Sequence, residues 1–409
     1  MSQRLRRIID LGPGGVINPG SALDYLVADN RVYFAETGTR WLRLWADWPS
    51  LQPLRDVAVD DPANPGFFRL EALDAQIAAA NEDGVRVVLM PYRFPNWAND
   101  TDALAAVRNT DAEISFDYPD RMGPSAWRRY LDAGRDPARY NPSRRGLEFH
   151  VPDEGVGPGT AWERFFDFLY ARYHLGHEDP TRRVHGFELV NEPNFQPWPQ
   201  RAPSETEDPF GPSPLIVQHT MAQYMVAAQA VADRHGDTTL RLAPSLADSE
   251  ILARTVTPFL EFTSALLDAL DAAGHCPGPT EAWAHHNYTD LERRREDTGL
   301  QAVRALIRDR WTGYVEGEAP TVWITEGGVR VPNVSLYYPD EDPLEAQALS
   351  IAQGWERHVR DDGPGAGVAM FAQYQTYTDP RFDAGLLEPW PSTVRRPAYA
   401  VWGSLPSHG

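Results

Sequence analysis

Short apolar or β-branched runs recur along this 409-residue chain, each followed by a stretch with apolar residues at three- and four-residue spacing. That alternation is what a parallel sheet covered by helices requires. The clearest strands are Thr39 to Trp45 (TRWLRLW), Val85 to Met90 (VRVVLM), His185 to Val190 (HGFELV) and Leu240 to Pro244. Ala282 to Asn287, Thr321 to Thr325 and Gly367 to Ala372 follow, and an eighth is expected within Ile8 to Ile17. Helical patterns fill the gaps at Leu70 to Glu82, Ala161 to Tyr173, Leu215 to Arg234, Pro258 to Ala273, Leu300 to Trp311 and Leu344 to Arg360, with a short one at Pro397 to Leu405. Eight βα units with no Ser- or Gly-rich linker predict one α/β domain over residues 1–409, a (β/α)8 TIM barrel. An open doubly wound sheet is the alternative that the same alternation allows.

Spacing locates the elaboration. Residues 91–160 form an unusually long connection rich in Pro, Asp, Arg and aromatics, and 194–214, with six prolines, follows the fourth strand directly. Both insertions leave the C-terminal ends of their strands, the face on which barrel enzymes build their sites. They are expected to wall the mouth into a pocket.

Composition narrows the class of partner. All 38 basic residues are arginine and they face 58 acidic ones, for a formal charge of −20. Such a surface repels phosphate backbones and anionic lipid, so neither nucleic acid nor a membrane is an expected partner. The single cysteine, Cys276, has no metal or nucleophile spacing around it. The N-terminal MSQRLRRIIDLGPGG carries positive charge without a long apolar stretch behind it, and no segment approaches about 18 apolar residues. A cytoplasmic protein is the expectation.

The most informative string is GFELVNEPNF, Gly186 to Phe195. Strand parity groups Glu188, Val190 and Glu192, so Glu192 emerges at the strand's C-terminal end with Asn191 beside it and Pro193 ending the ladder. In TVWITEGG, Thr321 to Gly328, the same parity groups Val322, Ile324 and Glu326, with two glycines leaving space above the acid. Strands four and seven lie nearly opposite in an eight-stranded ring, so the two carboxylates should face each other across the mouth. Glycoside cleavage needs such a pair, one acid to protonate the leaving oxygen and one to attack the anomeric carbon.

With Asn-Glu-Pro after the fourth strand and Thr-Glu-Gly after the seventh, the chain resembles the clan A (β/α)8 glycoside hydrolases, the cellulase-like superfamily. Arg43 in LRLWADW resembles the family's arginine near the nucleophile, and His286 and Tyr288 in HHNYTD match its His-x-Tyr pair. The ending RRPAYAVW is similar to the last helix of many such enzymes. The resemblance implies a retaining double displacement with Glu192 as acid/base and Glu326 as nucleophile, and Asn191 on the sugar's 2-hydroxyl. One departure stands out: where the family commonly carries a tryptophan after the eighth strand, this chain reads AMFAQYQTYTD, with Gln373, Tyr374 and Gln375 there.

The attacking acid must be ionised, and Arg43 and Tyr288 are the expected groups favouring its charged form; Glu192 needs a raised pKa. Among aromatics, Trp45, Trp48, Trp97, Trp198 and Tyr374 are the expected sugar-stacking candidates because they lie at strand ends. Glu188 reads as a barrel-interior acid satisfied by Arg or Tyr. His285 and His286 point to opposite faces and cannot readily share an ion, so neither a metal nor another cofactor is expected. The run Arg293 to Arg295 reads as a solvated helix start. A retaining glycosidase, exo-acting on short oligosaccharides or small glycosides, is the leading expectation. A barrel that only binds carbohydrate, or a transglycosylase using the same two glutamates, is the alternative.

Overall fold

The computed structural model describes residues 5–98, 151–194, 218–248, 257–310, 322–361 and 368–406, apart from positions 13, 18, 20, 153, 277, 296–298 and 380–381. Most of both insertions, 91–160 and 194–214, lies outside the described residues, and so do Trp198 and the expectation that these segments wall the mouth.

Eight strands run in order around one parallel sheet: β1 Arg6–Asp10, β2 Trp41–Asp47, β3 Arg86–Tyr92, β4 Gly186–Glu188, β5 Leu240–Leu242, β6 Glu281–His286, β7 Val322–Glu326 and β8 Met370–Tyr374. β8 returns to pair with β1, and a bridge from Val322 to Val368 with Ala369 N–H on Val322 O at 2.9 Å joins the last two strands. The chain is a (β/α)8 barrel. Each strand precedes a helix of the outer ring: α1 Ala28–Thr37, α2 Phe67–Glu82, α3 Ala161–Tyr173, α4 Gln218–His235, α5 Phe259–Ala272, α6 Gly299–Arg310, α7 Pro343–Asp361 and α8 Pro397–Ser404. Among the described residues no helix is long and apolar enough to cross a membrane.

Both faces of the sheet are covered, so strand residues are buried whichever way they point, and β2 and β6 are buried throughout. Outward residues pack on the ring: Phe187 meets Phe166 and Tyr170 of α3, and His285 meets Phe259 of α5. Inward residues meet across the barrel, Trp41 lying edge-on to Trp323 at 5.1 Å. β1 begins earlier than the expected Ile8, because its first residues are arginines that do not look like a strand. Arg7 is nevertheless buried, donating to the carbonyl oxygens of Thr37 at 2.7 Å and of Trp402.

Two strands depart from simple alternation. Trp323 faces into the barrel, yet Glu326 does too, because the β6–β7 register slips by one residue between His285 and His286. Thr325 is the extra residue of this bulge, so Val322 and Ile324 do not share a face with Glu326 as parity had grouped them. β4 stops at Glu188, after which Asn191 bridges Ser245 and Glu192 takes a left-handed φ of 42°. Glu188 and Asn191 therefore both reach the interior, against their odd spacing, and Glu192 arrives through a backbone turn and not through strand parity.

Candidate active site

Arg43, inward from the middle of β2 and wholly buried, is the hub of the barrel mouth. Its Nε and Nη2 donate to the two oxygens of Glu188 at 2.9 and 2.6 Å, and its Nη1 donates to Asp10 at 2.6 Å and Glu326 at 2.9 Å. Nη2 also donates to Asn191 Oδ1 at 2.8 Å. Burial works to lower the pKa of this guanidinium, but Glu188, Asp10 and Glu326 together hold it well above its ordinary value. Glu188 is thus the satisfied interior acid expected, with Ser245 Oγ donating to it at 2.5 Å.

Glu326 closes β7 beneath the mouth. Its second oxygen accepts the Tyr288 hydroxyl at 2.9 Å, and Tyr288 opens a short helix, Tyr288–Glu292, directly after β6. Across from it, Glu192 Oε1 lies 2.8 Å from His286 Nδ1, which is itself 3.9 Å from Glu326 Oε2. One oxygen of Glu192, one of Glu326 and the His286 nitrogen all lie within 4.8 Å of one another. Glu192 keeps the more open position, its side chain 14% exposed against 9% for Glu326.

Four carboxylates, of Asp10, Glu188, Glu192 and Glu326, thus surround one guanidinium and one imidazole. Arg43 favours the charged form of Glu326, and burial outweighs it. Burial pushes the Glu326 carboxyl up to about 8; His286 opposes this, Asp10 and Glu192 add to it, and Arg43 opposes it. His286 is raised as well: burial would lower it, and the charges of Glu326 and Glu192 outweigh burial. The raised values of His286 and Glu326 therefore favour a proton shared within the trio Glu192, His286 and Glu326.

Two carboxylates and an imidazole this close are also a donor set for a divalent cation. Against that use, the Arg43 guanidinium already occupies one oxygen of Glu326 and the Tyr288 hydroxyl the other. A proton balances the charge of this trio without displacing either donor.

The two glycines after Glu326 have a different purpose from the one expected. A Cβ on Gly327 would stand 2.3 Å from Asn287 Oδ1, and one on Gly328, at φ 142°, would touch Gln373. They let the β7 loop pass close over the buried side chains of Asn287, just after β6, and of Gln373 in β8.

The aromatic candidates separate. Trp45 lies within β2 and not on a loop, is buried, donates its indole N–H to Asp10 Oδ1 at 2.8 Å and carries the Arg43 guanidinium 4.7 Å above its ring. It is a wall under the arginine. Trp48 is buried against Phe165, stacked at 4.6 Å. Trp97 donates to Gln52 O at 2.9 Å and lines, with Trp48, Phe168, Arg55 and Arg164, a cavity of about 600 Å³ to which neither glutamate contributes. Tyr374, at the end of β8, stays with the site, edge-on to Tyr288 at 6.5 Å and to Phe382 at 5.1 Å. Where the resemblance leads one to expect tryptophan, Gln373 is instead buried and donates to Ala384 O at 2.7 Å.

Asp10 escaped sequence reasoning. It accepts from Arg43, Trp45 and the Gly12 N–H, and its only signal is an acid at the end of an apolar run, RRIIDLG. The arginine run also reads differently in the structure. Arg293 and Arg294 follow the short helix instead of starting one, and Arg294 donates to both oxygens of Glu341 at 2.8 and 2.6 Å.

No family model and no curated protein matches the chain. Solved structures do. A family 39 glycoside hydrolase from the gut symbiont Bacteroides cellulosilyticus WH2 superposes with a TM-score of 0.53 at 12% identity over 99% of this chain, which spans 64% of that enzyme's length. A GH5_18 protein from Bifidobacterium longum subsp. infantis gives 0.54 at 14% identity over 100% of this chain and 81% of its own. A variant of GH5_18 from Streptomyces cattleya, crystallised with Manb1-4GlcNAc, gives 0.54 at 15% identity over 98% and 79%. At these identities the likeness is one of fold: the barrel is similar to those of clan A glycoside hydrolases.

Proposed function

We propose that this barrel, alike in fold to clan A glycoside hydrolases, is itself a retaining O-glycosidase in which Glu326 attacks and Glu192 carries the proton. The observation that supports it most is the approach of the two carboxylates, an oxygen of each within 4.8 Å. Retention places the carboxyl groups about 5–5.5 Å apart, whereas inversion needs about 6.5–9.5 Å to seat a water between acid and sugar.

In the first step a Glu326 oxygen bonds to the anomeric carbon, the glycosidic C–O bond breaks, and the leaving oxygen takes a proton from Glu192. In the second, Glu192 removes a proton from water, the water oxygen bonds to the same carbon, and the ester to Glu326 breaks. Arg43 and Tyr288 each hold one oxygen of Glu326, which fixes its line of attack. His286, 2.8 Å from Glu192, can hold or return the proton that Glu192 exchanges. Asn191, anchored by Arg43, stands beside Glu192 to bind a sugar hydroxyl. Exo action on short oligosaccharides or small glycosides, which rests on the long insertions, and a cytoplasmic place of action complete the reading.

A panel of aryl glycosides, followed by proton NMR of the first sugar released, tests this. The expected result is hydrolysis with retained configuration, abolished in Glu326→Ala and slowed in Glu192→Ala mainly for poor leaving groups. Inverted product, or full activity in either variant, overturns it.

A further inference from the structure

The short helix Tyr288–Glu292 places Tyr288 and Glu292 four residues apart, hence on one face. Tyr288 reaches down to Glu326. Glu292, 1% exposed, reaches across to Arg330, four residues beyond Glu326 on the next loop. The pairing is bidentate, Nε on Oε1 at 2.5 Å and Nη2 on Oε2 at 2.8 Å, and Asn333 Nδ2 and the Arg330 backbone N–H donate to the same carboxylate at 2.8 and 3.2 Å. The Arg330 guanidinium lies 5.4 Å over the Tyr288 ring and 5.2 Å over Phe382, while these two rings meet edge-on at 5.1 Å. The loops after β6, β7 and β8 therefore converge on one arginine. Two rungs join the first pair of loops, Tyr288 to Glu326 and Glu292 to Arg330, and they close a ring through only a few residues of chain on each side.

We propose that Arg330, gripped by Glu292, is a positioning residue that acts through Tyr288, keeping the phenol on Oε1 of the Glu326 carboxylate. The inference rests on the glycosidase reading given above. A bidentate arginine is suited to the task, since its planar fork sets distance and angle together where an ammonium would set only distance. The cation over the ring face draws charge from the phenol and makes its O–H a better donor. Without the Arg330 guanidinium the two loops lose the bidentate grip and keep only single hydrogen bonds, Tyr288 to Glu326 and, on Glu292, Asn333 and the backbone N–H of position 330, which fix the register less firmly.

A double-mutant cycle tests this in the full-length protein with an aryl glycoside. Arg330→Met, which retains the stem, should lower kcat about tenfold with little change in KM, and Arg330→Lys should recover part of the loss. In a Tyr288→Phe background the same Arg330→Met change should cost less than about twofold, because the group it positions is gone. Equal losses in both backgrounds, or none in either, overturn the proposal. A crystal structure of Arg330→Met separates this outcome from failure of the glycosidase reading, since it needs no turnover. Lengthening of the Tyr288–Glu326 contact from 2.9 Å to beyond hydrogen-bond reach supports the role, and an unchanged contact overturns it.

Discussion

The imidazole of His286 stands 2.8 Å from Glu192, close enough to share a hydrogen with the carboxylate assigned to proton transfer, and its ring is wholly buried. Because the same nitrogen is 3.9 Å from Glu326, the protonation of all three groups is linked.

That linkage predicts the acidic limb of activity. Arg43, Asp10, Tyr288, His286 and Glu192 face Glu326, and the balance of burial and charge raises its pKa to about 8. Attack requires the ionised form, so activity is lost as pH falls through the raised value. In a pH profile of kcat/KM, which reports the free enzyme, the acidic limb should lie well above the ordinary glutamate value of about 4.3. His286→Gln removes a cation that favours ionised Glu326 and should move the limb higher still. A limb at the ordinary value, or one moved lower by His286→Gln, contradicts the assignment.

The Gly327 position predicts a local steric effect. An added methyl would lie 2.3 Å from Asn287 Oδ1, and Asn287 is buried with its Nδ2 against His358 at 3.0 Å. Neither side can give way cheaply. Gly327→Ala should cost about 1–3 kcal/mol of stability in denaturant unfolding and displace Glu326 enough to reduce kcat. Wild-type stability together with wild-type kcat would show that the loop has slack there.

His285 predicts how acid weakens the fold. It is buried against Phe259 with neither ring nitrogen hydrogen-bonded among the described residues, and burial, with His286 and His358 adding, pushes its pKa down to about 3. Between about pH 6.5 and that value the unfolded chain binds a proton that the native state does not. Its share of stability is therefore complete above about pH 6.5 and falls by about 1.4 kcal/mol per pH unit below it. Urea unfolding at pH 7, 6 and 5 should show His285→Leu losing less stability than the wild type as pH falls. Parallel losses would mean that His285 is not held neutral.

How these residues read in the sequence follows from physical locality. The barrel was legible because each strand and helix announces its own period, and eight repeats leave few other architectures. Arg43, Glu192, His286, Tyr288 and Glu326 stood out because each sits on a strand or just beyond one in a short string of distinctive chemistry. Alternation places neither glutamate, since a bulge at Thr325 and a left-handed turn at Glu192 do the aiming, and such irregularities depend on neighbouring strands. Asp10, and the Glu292–Arg330 clamp, were illegible for the same reason: each acquires its meaning only from a partner on another strand or loop. Trp45 and Trp48 misled because proximity to a strand end says nothing about whether a ring faces ligand or fills a wall.

The most direct measurement is covalent trapping with a panel of 2-deoxy-2-fluoro glycosides bearing activated leaving groups, followed by peptide mass spectrometry. The fluorine slows both formation and breakdown of the glycosyl ester, and the activated leaving group restores the rate of formation alone, so the ester accumulates. The account predicts time-dependent inactivation with one sugar attached to Glu326, and none in Glu326→Ala. A sugar carried by any other residue would contradict it.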